Sequence, residues 1–142
     1  MTGGASGIGR ALFDLLEREG CEVAVLDVRG GFDVGDPAAW ERVGAVELAC
    51  LNAGVAADAA DLTAVSDEAY RHILGANVDG VVFGTRRLAR VMSPGSAIVT
   101  TASLAGLVHC AAGSLSTPRR PRPPTARSDR PRTLPRRAVS VA

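Results

Sequence analysis

Lysine is absent from this chain of 142 residues, and aromatic residues make up only 4% of it. Long apolar runs are absent too: none approaches the roughly 18 to 20 residues of a membrane-spanning helix, so we expect no membrane span. No basic stretch followed by an apolar core opens the chain, as a signal peptide would require. Three widely spaced cysteines, Cys21, Cys50 and Cys110, are odd in number and lack metal-ligand spacing. They favour reduced, buried thiols in a cytoplasmic protein without a metal site.

Charge and proline are distributed unevenly along the chain. Residues 1–113 carry eight arginines and 14 acidic residues, a net charge of −6, whereas residues 114–142 carry eight arginines and one aspartate, a net charge of +7. Six of the eight prolines also lie in the second segment. That segment has too little apolar surface to offset the entropy of ordering it. We therefore expect a folded domain over 1–113 and a disordered arm over 114–142.

Helical and strand patterns alternate within the first segment. Helical spacing occurs over 6–19, 37–43 and 66–91, and short apolar runs typical of buried strands occur over 21–28, 45–51 and 96–103. Strands that alternate with helices form parallel sheets with right-handed crossovers. The pattern predicts a Rossmann-type, doubly wound α/β fold. Because the central strand and the second half of such a fold have no counterpart here, we expect an incomplete one.

The stretch TGGASGIG at residues 2–9 has the spacing of a phosphate-binding turn. Gly3 permits the tight turn, Gly7 lets a pyrophosphate approach the backbone, and Gly9 allows the helix to pack closely. Free N–H groups and a partial positive charge at the helix start suit a phosphate. A glycine-rich helix start without a ligand is the alternative interpretation.

An acidic residue follows at the spacing that a dinucleotide site requires. Asp27 ends the next predicted strand, 18 residues after Gly9, where a carboxylate can accept hydrogen bonds from the ribose hydroxyls of adenosine. The same carboxylate repels the 2′-phosphate of NADP, which favours NAD as the cofactor. Arg29, two residues further on, leaves NADP open.

Four landmarks in order, TGGASGIG, Asp27, the turn Asn52-Ala53-Gly54 and Ser103 after IVTTA, resemble the short-chain dehydrogenase/reductase family of NAD(P)-dependent oxidoreductases. The resemblance covers about residues 2–110. It implies hydride transfer between NAD and a small alcohol or carbonyl compound. Family members are often dimers or tetramers, so it also implies a homo-oligomer.

The resemblance also implies roles for individual residues. It places Ser103 and Asn77 in the catalytic site, Ser103 as the group that hydrogen-bonds the substrate oxygen. It places cofactor contacts at Gly3, Ser6, Gly7, Ile8, Gly9, Asp27, Asp33, Val34, Asn52, Ala53 and Gly54. Leu51 departs from the family, which usually has a further asparagine there. Each role has a structural alternative. Asn77 could be a polar helix residue bonded to backbone or water, and Ser103 could cap or turn the chain at a strand end. Asn52-Ala53-Gly54 could be an ordinary turn, and Asp33 a solvated acid in a loop.

The family's chemistry relies on a tyrosine followed four residues later by a lysine, whose charge lowers the pKa of the phenol. Neither type occurs after Tyr70, and arginine has a different shape and hydrogen-bonding geometry from lysine. We therefore expect no useful proton transfer by this chain, and a non-catalytic dinucleotide-binding module is the alternative. Nucleic-acid binding through the arginine-rich arm is a third interpretation, which the lack of aromatic residues and of a recognition helix disfavours.

One hypothesis accounts for both ends of the chain. A start assigned too late and a reading-frame shift near residues 109–113 would remove the first strand and replace the second half with arginine and proline. The neighbouring frames of the gene would then encode an upstream apolar strand and a downstream Tyr-x3-Lys pair.

Tyr70 lies on the apolar face of a predicted helix, so we expect it to pack in the core or at the surface and not to act in catalysis. His72 and His109 lack partners at ligand spacing and are expected to have no role.

Overall fold

The computed structural model describes residues 1–56 and 62–107. Its helices and strands are α1 (Gly7–Arg18), α2 (Pro37–Trp40), β1 (Leu48–Leu51), α3 (Asp67–Leu74), α4 (Gly80–Val91) and β2 (Ala97–Thr100). The π-helical segment Gly75–Asp79 joins α3 to α4 without a break. The predicted arm over 114–142, Cys110 and His109 lie outside the described residues.

Strands β1 and β2 form a parallel pair, with Leu48 opposite Ala97 and Leu51 opposite Thr100. The continuous helix formed by α3, the π-helical segment and α4 makes the crossover between them, so the predicted α/β class is confirmed. Three of the four residues of β1 are buried, whereas all four of β2 are exposed. Strand β1 therefore lies inside the described structure and β2 lies at its surface.

Residues Met1–Gly3 run between Leu26 on one side and Cys50 on the other. The Leu26 N–H donates to the Met1 carbonyl at 2.8 Å, the Gly3 N–H to the Leu26 carbonyl at 3.0 Å, and the Thr2 N–H to the Cys50 carbonyl at 2.9 Å. The first two bonds make one parallel bridge, between Thr2 and Leu26, and the third joins Thr2 to β1. The strand predicted over 21–28 is reduced to that bridge, because only three residues run beside it.

The hydrophobic core lies between β1, α2 and α4 and is centred on Trp40, which is 2% exposed. The Trp40 and Phe32 rings pack edge-on, with 5.2 Å between their centroids. The Trp40 indole N–H donates to the Val34 carbonyl at 2.9 Å. Helix α4 approaches closely because two of its positions carry no side chain. A Cβ at Gly80 would lie 2.8 Å from Val34, and one at Gly84 would lie 2.6 Å from Trp40.

Arg87 ties α4 to the end of α2. Its guanidinium donates to the Val43 carbonyl at 2.8 Å, to the Glu41 carbonyl at 3.0 Å and to the Glu41 carboxylate at 3.1 Å. The two carbonyls lie in the turn that follows α2, and the Arg87 cation supplies hydrogen-bond donors to them. Arg87 thereby fixes the position of α2 on α4.

The helix that the sequence predicts over 66–91 begins and ends where expected. The Ser66 hydroxyl accepts the Ala69 N–H at 3.1 Å, and Asp67 and Glu68 occupy the first turn. In its middle the helix widens: the Gly80 N–H donates to the Gly75 carbonyl, five residues back. Such π-helical turns are rare and frequently lie at functional sites.

Two of the three cysteines fall within the described residues, and both are buried as predicted. Burial raises the pKa of the Cys50 thiol, which keeps it protonated. Among residues 1–56 and 62–107, no helix has the length and apolar content to cross a bilayer.

Candidate functional site

A cleft of about 430 Å³ opens beside the turn that precedes α1. Four parts of the chain supply its walls: that turn, the loop from Leu26 to Val34, the residues after β1, and the α3–π helix. Small-molecule sites commonly have volumes of roughly 300 to 1,000 Å³. The lining residues are Gly3, Ser6, Gly7, Leu26, Asp27, Val28, Arg29, Phe32, Asp33, Val34, Asn52, Ala53, Gly54, Val55, His72 and Ala76.

The glycine turn presents open backbone to this cleft. Gly7 has φ +55°, a left-handed conformation, and apart from its chain neighbours and the backbone of its own helix no atom lies within 4 Å of where its Cβ would be. Helix α1 begins at Gly7, so its first N–H groups have no partner within the helix and carry partial positive charge. The preceding Ser6 hydroxyl makes no capping hydrogen bond to the helix. An anionic group can therefore reach the backbone here.

Gly9 serves packing and does not line the cleft. A Cβ at Gly9 would lie 2.0 Å from the Gly3 carbonyl oxygen and 2.8 Å from the side-chain nitrogen of Asn52. Gly3, with φ +66°, is also constrained, since its Cβ would lie 2.8 Å from the Ala53 Cα. The two glycines bring α1, the turn and the exit of β1 into direct contact.

Asp27 links the loop after the first bridge to the glycine turn. One carboxylate oxygen accepts the Arg29 N–H at 3.0 Å and the other accepts the Ala5 N–H at 3.1 Å. The Arg29 guanidinium donates to the Ala5 carbonyl at 3.3 Å. A carboxylate has about four lone-pair sites, so each oxygen can still accept a hydroxyl from a ligand in the cleft.

The loop that carries Asp33 and Val34 is folded against the helical wall. The Asp33 carboxylate accepts the Gly35 N–H at 2.8 Å, and a Cβ at Gly35 would lie 3.2 Å from the Gly75 carbonyl. Val34 is buried, so its backbone and the Asp33 side chain form a fixed edge of the cleft.

Two threonines hold the residues that follow β1. The Thr2 hydroxyl accepts the N–H groups of Asn52 at 2.9 Å and of Ala53 at 3.0 Å. The Thr101 hydroxyl donates to the Asn52 side-chain oxygen at 3.0 Å. Thr2 is only 3% exposed, so this contact lies away from water and fixes the floor of the cleft.

Asn77, in the π-helical segment, binds the chain just beyond that turn. Its side-chain oxygen accepts the Val55 N–H at 2.8 Å, and its side-chain nitrogen donates to the Val55 carbonyl at 2.8 Å. Both polar atoms of the amide therefore have partners. As the structure has it, Asn77 positions the exit from β1, and a direct catalytic contact of its side chain stays a prediction.

Comparison with known proteins shows to which family this chain is similar. Residues 37–115, more than half of the chain, match the family model described as enoyl-(acyl carrier protein) reductase. The chain belongs to the short-chain dehydrogenase/reductase family.

Individual relatives agree with this membership. The chain is 32% identical over 138 residues to the NADP-dependent (R)-specific alcohol dehydrogenase of Lentilactobacillus kefiri, covering 76% of this chain and 54% of the relative. A small-chain dehydrogenase of known structure is 27% identical with a TM-score of 0.70, covering 78% of this chain and 62% of that one. A short-chain dehydrogenase/reductase described as glucose/ribitol dehydrogenase, from Brucella melitensis, is 25% identical with a TM-score of 0.65, covering 75% and 56%. The chain thus spans little more than half the length of these proteins.

Most of the cofactor contacts implied by the family resemblance lie together in the cleft. Nine of them line it: Gly3, Ser6, Gly7, Asp27, Asp33, Val34, Asn52, Ala53 and Gly54. Ile8 does not, and its side chain is 71% exposed at the start of α1. Ser103 lies three residues beyond β2, exposed, where its carbonyl accepts the Gly106 N–H at 3.1 Å. It does not line the cleft either.

Several lining residues were not expected from the sequence. Val28, Val55, His72 and Ala76 line the cleft, although His72 was expected to have no role. The spacing of His72 and Ala76 carried a signal, because residues four apart share one face of a helix. Tyr70, by contrast, is 47% exposed and lies off the cleft, as a surface residue.

Proposed function

We propose that the cleft binds a nicotinamide dinucleotide, with its diphosphate at the start of α1 and its adenosine ribose at Asp27. The chain would then be the cofactor-binding part of an oxidoreductase that moves a hydride between NAD and a small alcohol or carbonyl compound. One observation carries this proposal: the open backbone at Gly7 and the Asp27 carboxylate line the same cleft.

The residues present fit such a ligand. A Cβ at Gly7 would project into space that no protein atom fills, so the position suits a group that comes close to the backbone. The first N–H groups of α1 and the Ser6 hydroxyl would donate to phosphate oxygens. Asp27 would accept from ribose hydroxyls, and the segment fixed by Thr2 would support the other half of the ligand. A bound nicotinamide supplies the hydride donor or acceptor.

The substrate class rests on the relatives and on Ser103. The Lentilactobacillus protein is named as an alcohol dehydrogenase, which favours an alcohol or carbonyl substrate here. Ser103 follows β2, two residues after the Thr101 whose hydroxyl contacts Asn52. Its hydroxyl would hydrogen-bond the substrate oxygen in the complete site.

A second candidate function is dinucleotide binding without hydride transfer. It is favoured by the absence of lysine from the whole sequence and by the position of Tyr70 away from the cleft. Titration with NAD and a spectrophotometric assay of NADH formation with a panel of alcohols distinguish the two. Saturable binding without NADH formation selects the second candidate.

Gly7→Ala tests the proposed diphosphate position. We expect dinucleotide binding to weaken by about 10- to 50-fold, because the added Cβ fills the approach to the backbone and strains a left-handed residue by about 1–2 kcal/mol. Isothermal titration with NAD gives the dissociation constant. Gly20→Ala is the matched control: Gly20 also has positive φ (+77°) and open surroundings, but it lies at the far end of α1. Equal weakening in both variants, or in neither, would contradict the proposal.

Asp27→Asn tests the preference for NAD. Removing the charge eliminates its repulsion of a 2′-phosphate while keeping the size of the side chain and one acceptor oxygen. We expect the ratio of NAD to NADP affinity to fall by about tenfold or more, mainly through tighter NADP binding. Parallel titrations with both cofactors measure the ratio. A wild-type preference for NADP would show that Arg29 outweighs the carboxylate.

A further inference from the structure

We propose that His72 contacts the adenine ring of the bound dinucleotide and so determines affinity for the adenosine half. This inference rests on the proposed function, and it assigns a ligand contact to a side chain that the family motifs do not include.

The position of His72 follows from the geometry of the cleft. A diphosphate at Gly7 and a ribose at Asp27 define a direction, and the base attached to that ribose must lie beyond it, away from the glycine turn. The lining that remains for the base comes from the Phe32–Val34 loop and from α3 and the π-helical segment. His72 and Ala76, four residues apart, form that helical wall.

The helical wall cannot easily move relative to the loop. A Cβ at Gly35 would lie 3.2 Å from the Gly75 carbonyl, and one at Gly80 would lie 2.8 Å from Val34. Because the loop and the helix touch at both places, the side chain of His72 stays at a fixed distance from the Asp33–Val34 edge. A planar base that enters between them meets it.

The chemistry of this end of the cleft suits a purine. Val28 lines the cleft yet is 73% exposed, which leaves apolar surface for one face of a ring. Among the described lining residues, His72 carries the one polar ring; the Phe32 ring is 7% exposed and belongs to the core. An imidazole can stack on a base or hydrogen-bond to its edge, since its nitrogens donate and accept.

Fragments of the cofactor provide the experiment. ADP-ribose and nicotinamide mononucleotide are titrated separately, together with NAD, into the wild type, His72→Ala, His72→Phe and Tyr70→Ala. We expect His72→Ala to weaken ADP-ribose and NAD binding by roughly 5- to 30-fold, as loss of one base-stacking ring does. Binding of the mononucleotide is expected to stay unchanged. Tyr70→Ala is the matched control, because it removes a ring two residues away that does not line the cleft.

The outcomes separate this inference from the proposed function. If the wild type binds neither NAD nor ADP-ribose, the proposed function is wrong and this inference falls with it. If the wild type binds both and His72→Ala binds them equally well, only the inference on His72 is wrong. Retention of affinity in His72→Phe identifies stacking as the contact, and its loss identifies a hydrogen bond to the ring edge.

Discussion

Replacing Gly9 by alanine is expected to weaken dinucleotide binding more than 100-fold and to lower the free energy of unfolding by about 3 kcal/mol or more. The added Cβ would lie 2.0 Å from the Gly3 carbonyl oxygen. Two non-bonded atoms cannot lie that close, so the backbone on one side must shift. Both groups belong to the backbone or are fixed to it, so no side-chain rotation relieves the overlap. Helix α1 must move away from the turn by roughly 1 Å, a displacement that takes the helix start out of the ligand's reach.

Urea denaturation followed by Trp40 fluorescence gives the free energy of unfolding, and titration with NAD gives the affinity. Gly75→Ala is the matched control, because Gly75 is also helical but has no atom from outside its own helix within 4 Å of its Cβ position. There alanine is expected to stabilise the protein by up to about 1 kcal/mol through its higher helix propensity. The two substitutions are chemically identical, so opposite signs would isolate the effect of space. A Gly9→Ala variant as stable as the wild type would show that α1 does not rest on the Gly3 carbonyl.

Local features of this fold could be predicted from the sequence because they depend on neighbouring residues. Asp36-Pro37 predicts a helix start, and the Asp36 carboxylate accepts the Ala38 N–H at 2.9 Å. Ser66 likewise caps α3. The glycine turn could be predicted for the same reason, since its conformation is set by residues that tolerate positive φ.

Contacts between distant segments could not be predicted in this way. Thr2 holds the turn after β1 across 50 residues of sequence, and Asn77 holds Val55 across 22. Family resemblance indicated that Asn77 matters, but only the folded chain shows its amide engaged with backbone. The widening of the helix at Gly75–Asp79 has no simple sequence signal, because the apolar spacing there continues that of an ordinary helix.

The strand predicted over 21–28 was longer than the one bridge that the structure contains there. Its valine-rich composition predicts a strand correctly in the local sense, since Leu26 pairs in parallel with Thr2. A ladder also needs a neighbour along its whole length, and here Met1–Gly3 supply three residues. Composition describes what a segment can do, whereas pairing depends on what lies beside it.

Trp40→Ala is expected to be the most destabilising substitution in the core, by about 3–5 kcal/mol. The side chain is 2% exposed, its indole N–H donates to the buried Val34 carbonyl, and its ring packs edge-on against Phe32. Truncation would leave a cavity and a buried carbonyl without its partner, and both effects add to the cost. Trp40 is the only tryptophan, so the variant has no tryptophan fluorescence to follow. Far-UV circular dichroism during urea denaturation measures the loss of stability instead.

A double-mutant cycle tests the packing of Trp40 directly. Gly84→Ala places a Cβ 2.6 Å from the outer edge of the indole and is expected to cost about 1–3 kcal/mol. Phenylalanine lacks that outer ring, so in Trp40→Phe the space next to Gly84 is vacated. The double variant Trp40→Phe/Gly84→Ala is therefore expected to lose at least about 1 kcal/mol less than the sum of the single variants. Additivity within about 0.5 kcal/mol would contradict the contact between the ring and α4.

The same cycle connects the core to the cleft. Phe32 and Val34 line the cleft on one side and rest on Trp40 on the other, so the adenosine end of the proposed site is built on this ring. Under conditions where the variants remain folded, Trp40→Phe is expected to weaken ADP-ribose binding more than nicotinamide mononucleotide binding. Gly84→Ala, which displaces the same ring, should act in the same direction, and the double variant should recover part of the loss. If ADP-ribose affinity falls in both single variants and partly recovers in the double variant, Trp40 positions the wall of the cleft. Unchanged ADP-ribose affinity across the cycle would confine its role to stability.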